Sequence, residues 1–188
     1  MTCPSPLPAA GTLTGWTGVI GGTTYAPADC SAHEQPYLPD QWEYPVIISD
    51  KAADAGLGRP GLCQRDCQNQ RVKGERWVLL GFGAGNLAQQ PAPYPPASSS
   101  SPFRIDYNAT PYAGDTGYWV NCIRVVHTTT CRESQRVASA GYVELTKMDA
   151  TGVAGYLDLT FADERLTGTF DAPACAWTGT QPAKTCIN

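Results

Sequence analysis

Three short segments toward the C-terminal end alternate apolar and polar residues, and this period of two restricts that part of the chain to antiparallel strands. In 141–148, Val143 and Leu145 alternate with Tyr142, Glu144 and Thr146. In 155–161, Leu157, Leu159 and Phe161 alternate with Tyr156, Asp158 and Thr160. In 165–171, Leu166, Gly168 and Phe170 alternate with Arg165, Thr167 and Thr169. Successive side chains of a strand point to opposite faces, so each segment has one buried and one wet face. Turn residues fill the connections at 149–152 and 162–164, as hairpins require. The region is a meander.

Upstream the signals are of the same kind. The runs Pro45-Val-Ile-Ile48 and Trp77-Val-Leu-Leu-Gly-Phe82 are nearly continuously apolar, the pattern of strands covered on both faces. Strand alternation is also present in 103–107 and 117–126, and 12–25 reads as one or two bent strands. Gly (19) and Pro (16) are abundant and only 16% of residues are charged, which disfavours a helical bundle. One helix is expected over 62–72, with Leu62, Cys63 and Cys67 on one side. Ser49 and Asp50 are placed to cap a helical turn over 51–54. The fold class expected is all-β, an antiparallel sandwich or partly open barrel with one short helix. A chain of 188 residues suits a single core. Within that one domain, 1–10 reads as an extended arm, 26–44 as a long aromatic loop, 84–102 as a Pro- and Ser-rich loop and 176–188 as a tethered tail.

Eight cysteines, Cys3, Cys30, Cys63, Cys67, Cys122, Cys131, Cys175 and Cys186, are an even set suited to an oxidising compartment. Up to four disulfides are expected, and their connectivity is open. Cys63 and Cys67 lie one helical turn apart, so each is expected to reach a different partner and fasten the helix. Cys131 is placed to close a hairpin onto Cys122, and Cys186 to tie down the tail.

Net charge is −4 with no cluster of Lys or Arg, so nucleic acid is set aside as a partner. No apolar run approaches the roughly 18 residues of a membrane span. No leader is visible at Met1; for an exported chain the expectation is a removed leader, with a possible lipid anchor just upstream of Cys3. The motifs G-x-S-x-G, H-E-x-x-H and the Walker loop are absent, and Gly81-Phe-Gly-Ala-Gly85 lacks the spacing of a dinucleotide loop. His33 with Cys63 and Cys67 makes at best half a zinc site. Asp149, Asp158, Asp163 and Glu164 lie near hairpin turns without a calcium-loop spacing, and read as turn acids. No catalytic residue, metal or cofactor is assigned.

The segments Gly141-Tyr-Val-Glu-Leu-Thr146, Gly152-Val-Ala-Gly-Tyr-Leu-Asp-Leu-Thr-Phe161 and Leu166-Thr-Gly-Thr-Phe-Asp-Ala-Pro-Ala-Cys175 resemble the end of a recurring domain. That domain occurs in bacterial secreted proteins and outer-membrane lipoproteins of unassigned function. The resemblance covers about 35 residues, implies export and a disulfide-fastened β fold, and transfers no active site. Aromatic residues supply the functional hint, because flat rings with a polar handle suit recognition surfaces. Tyr37, Trp42 and Tyr44 form the densest set and are the candidate contact residues. The expected function is a non-enzymatic binding or structural module, secreted or at the outer-membrane surface, contacting a surface protein or a polysaccharide. The alternatives are a small secreted hydrolase acting on glycans and an inhibitor or immunity-like protein.

Overall fold

The computed structural model describes residues 2–33, 35–38, 41–85, 103–107, 118–162, 164–175 and 182–188; for 35–38, 41–44, 83–85, 103, 118–119 and 121 only the backbone is described. Alternation and burial sort the strands into two sheets. The alternating segments become β11 (Ala140–Asp149), β12 (Gly152–Phe161) and β13 (Glu164–Pro173), numbered in chain order among the fourteen strands of the described residues. With β1 (Thr12–Ile20), β2 (Thr23–Thr24) and β8 (Phe103–Asp106) they make a six-stranded sheet in the order β2-β1-β13-β12-β11-β8. The continuously apolar runs fall in β5 (Gln41–Ser49) and β7 (Arg76–Gly85). These lie inside a second sheet ordered β10-β9-β7-β5-β3, with β3 at Asp29–Ala32, β9 at Tyr118–His127 and β10 at Glu133–Val137. β4 (Gln35–Leu38) pairs with β5 at one end of that sheet.

The two sheets face one another across the main core. Val143, Leu145, Leu157, Leu159, Leu166 and Phe170 meet Val46, Ile48, Val78, Leu80, Val120 and Cys122, all nearly or fully buried. Each fully buried Leu or Phe contributes about 1.5–3 kcal/mol. The second sheet has a further layer on its other face. There Ile47, Trp77 and Val125 pack with Leu62 of the short helix α1 (Leu62–Cys67). Two covered faces explain why β5 and β7 are apolar at consecutive positions, and one open face explains the alternation of β11–β13.

Glycine shapes one corner of the core. Between Thr14 and Thr17 the β1–β13 register shifts, and Gly15 takes φ +63°. The bulge turns Trp16 inward over Gly168, where any Cβ would overlap the indole. The indole Nε1 then donates to the Thr169 carbonyl at 2.9 Å.

Three disulfides staple the arm, helix and tail, consistent with an oxidising compartment: Cys3–Cys67, Cys63–Cys175 and Cys131–Cys186. Cys63 and Cys67 do reach different partners, the end of the first sheet and the N-terminal arm. The hairpin closure expected between Cys131 and Cys122 is not made. Cys122 sits five residues before the end of β9 and faces the core, so the turn carrying Cys131 lies roughly 16 Å beyond it. Cys30 and Cys122 remain buried thiols. They occupy β3 and β9, three strand spacings or about 14 Å apart, beyond the reach of a disulfide.

Three further expectations are corrected. The helix stops at Cys67 rather than near residue 72. Asn69 takes φ 52°, and Gln70–Val72 becomes β6, which pairs in parallel with β14 (Thr185–Ile187). The helical turn forms at Ala55–Leu57, capped by Asp54, because the Ser49 hydroxyl accepts from Lys51 N and is drawn toward Glu75. The described residues of 26–44 are largely strand, and Cys30 is held by sheet pairing with Ile48 rather than by a disulfide. The 84–102 loop lies outside the described residues beyond Gly85.

Candidate functional site

The outer face of the first sheet is a continuous polar surface. Strand pairing aligns Asp106, Tyr142, Asp158, Thr167 and Thr17 in one row, and Arg104, Glu144, Tyr156, Thr169 and Thr14 in the next. None of these ten residues is buried. Threonine and tyrosine favour a pleated, half-buried surface, which is why the wet face is rich in both.

On this face six side chains make contacts with one another. The Tyr142 and Tyr156 rings lie 6.1 Å apart at 47°. The Arg104 guanidinium sits 3.7 Å over the Tyr142 ring and donates from Nε to Asp106 Oδ1 at 2.9 Å. Arg165 forms a bidentate pair with Asp158, Nε at 2.8 Å and Nη2 at 2.6 Å. The Arg165 pairing holds the Asp158 carboxyl below its ordinary range despite some desolvation. Exposed pairs of this kind add only about 0.2–1 kcal/mol each to stability. Their effect is to fix rotamers on a face that is otherwise free to move.

The side chains of Tyr37, Trp42 and Tyr44 lie outside the described residues; their backbones run in β4 and β5, with Trp42 opposite Pro36. The acids near the turns have structural partners: Asp149 caps its own turn through Thr151 N at 2.7 Å, and Glu164 pairs with Arg124 at 3.1 Å. Asp163 lies outside the described residues. His33 pairs with Asp66 at 3.3 Å, and Cys63 and Cys67 are oxidised, so the half zinc site does not form.

A second charged cluster, with no sequence signal, lies under α1. Glu75 is fully buried and accepts from Arg65 Nη1 at 2.6 Å, from Val72 N at 3.2 Å and from the Ser49 hydroxyl. Arg65, itself 1% exposed, also donates to the Lys51 carbonyl at 2.7 Å. The imidazole of buried His127 bridges Glu75 at 3.6 Å and Glu133 at 3.5 Å, and packs edge-on against Trp77 at 4.7 Å. Burial pushes the Glu75 carboxyl upward, but the nearby His127, the Arg65 charge and the Ser49 hydroxyl outweigh it and hold it down at about 2. Its centre, Glu75, Arg65 and His127, is buried, and the cluster joins α1, β6 and the second sheet.

Among the described residues no helix is long and apolar enough to cross a membrane. No family model, curated protein or solved structure matches the chain.

Proposed function

We propose that this chain is a non-enzymatic binding module, exported and either secreted or held at the outer-membrane surface, whose open sheet face contacts another surface protein. The observation that carries the reading is the group of Tyr142, Tyr156, Arg104 and Arg165 on the uncovered face. Tyrosine and arginine dominate the energetic centres of protein interfaces. Here the arginines are already oriented by Asp106, Asp158 and the Tyr142 ring, so less side-chain freedom is lost on binding. A polysaccharide is the weaker occupant of this face, because a sugar ring stacks on an open aromatic face and the guanidinium already covers one side of Tyr142. A glycan hydrolase is the weaker reading, because Asp106 and Asp158 on this face are held by Arg104 and Arg165 and Glu75 is sealed within the fold.

A photo-crosslinking residue at position 169, beside Tyr156, tests the reading in envelope extract with the oxidised protein. The expected result is a discrete protein adduct that disappears in the Tyr142→Ala and Arg104→Ala variants. Adducts indifferent to both substitutions but lost in Trp42→Ala would move the site to the aromatic strands. Adducts confined to a protein-free polysaccharide fraction would overturn the protein partner.

A further inference from the structure

Between the N-terminal arm and the start of α1 lies a recess of about 220 Å³. Leu7, Pro8 and Ala53 line its mouth, and the Cys3–Cys67 disulfide straps the arm that forms this wall. Its floor is Leu62, Cys63 and Cys30, all buried, with one carboxylate among them, Asp29, only 3% exposed. An apolar cavity of roughly 150 Å³ holds a benzene ring, so this one has room for a single ring and a short substituent.

The carboxylate sets the chemistry. Asp29 Oδ2 accepts from Leu62 N at 2.9 Å, with the Gly11 and Cys30 amides also turned toward the group. These are dipoles and not a counter-ion. The nearest buried cation, Arg65, commits its guanidinium to Glu75 and to the Lys51 carbonyl. Burial accordingly pushes the Asp29 carboxyl above its ordinary range despite those amides. A buried charge short of a full partner attracts a cation placed beside it.

We propose that this recess is a binding site for a small apolar primary amine, its hydrocarbon body against Leu62 and Leu7 and its ammonium paired with Asp29. The arm strapped by Cys3–Cys67 is the wall that keeps the site formed. The site is separate from the open sheet face and does not depend on the reading given to that face.

Amide-resolved NMR titration of the full oxidised chain with benzylamine, and with benzyl alcohol as the neutral isostere, tests the proposal. The expected result is saturable shifts confined to 7–10, 29–30, 53 and 61–64, with benzylamine at least tenfold tighter than the alcohol. Asp29→Asn keeps an acceptor for Leu62 N and is expected to bring the amine down to the affinity of the alcohol. Ala53→Leu, at the exposed mouth, is expected to weaken both probes. Should Asp29→Asn fail to fold, the amine-to-alcohol ratio in the unmodified chain and the Ala53→Leu response still decide. Equal affinities for the two probes, saturation that maps elsewhere, or no saturation overturns the proposal.

Discussion

Glu75→Gln isolates the buried cluster under α1. The substitution keeps the shape of the side chain and removes its charge, leaving Arg65 buried at 1% exposure with its 2.6 Å ion-pair partner neutralised. Breaking one side of a buried pair costs about 3–5 kcal/mol, because the remaining charge is uncompensated. Proton linkage gives an independent figure. The Glu75 carboxyl is held at about 2 in the folded chain, against 4.5 for an unperturbed glutamate. That depression corresponds to about 3 kcal/mol of stability at neutral pH. The sign follows from which state binds the proton: between about pH 4.5 and 2 the unfolded chain binds it more readily, so this stability is present above the window and lost as the pH falls through it. For a chain of this size 3–5 kcal/mol lowers Tm by roughly 6–20 °C. Thermal and urea denaturation of the oxidised protein, repeated from pH 7 to pH 2.5, reads both effects. The variant is expected to be less stable at pH 7 and to lose less stability on acidification. A Glu75→Gln protein within 0.5 kcal/mol of the parent at pH 7, with an unchanged acid limb, would refute the assignment. The paired change Arg65→Met with Glu75→Leu is expected to recover only part of the loss, since it removes the uncompensated charge but leaves Val72 N and the Ser49 hydroxyl without their acceptor.

Gly168→Ala places a methyl group against the Trp16 indole and is expected to cost about 1–3 kcal/mol, with a change in tryptophan emission that an exposed control such as Thr169→Ala does not give. The two buried thiols are expected to be silent to a thiol reagent in the native protein at pH 7, because burial pushes Cys30 up to about 12 and Cys122 further up. Unfolding without reductant is expected to release two reactive thiols; a native reaction contradicts their burial, and none after unfolding contradicts the three-disulfide pairing. Removing Cys63–Cys175 by a double Ala substitution, across a separation of 112 residues, is expected to cost about 2–5 kcal/mol by denaturant midpoint. A midpoint shift no larger than that for Cys131–Cys186, separation 55, would show that loop closure does not set the order.

Binary pattern alone determined much of this protein. The alternation of Val143, Leu145, Leu157 and Leu159 with polar neighbours specified a sheet with one open face, and the unbroken runs at 45–48 and 77–82 specified strands covered twice. The one-turn spacing of Cys63 and Cys67 already implied two separate partners. These features are local, because side-chain direction follows from backbone period. The rest depended on contacts between residues far apart in the chain. Nothing near Glu75 announces that Arg65, Ser49 and His127 will converge on it, and nothing near Cys122 tells that its strand will carry it into the core, away from Cys131. The open-face group was legible only in part: Tyr142 and Tyr156 were on the wet side, but strand register set them beside each other and brought Arg104 over the ring. Register and sheet order arise from the packing of the whole core, and no short stretch of sequence contains that information.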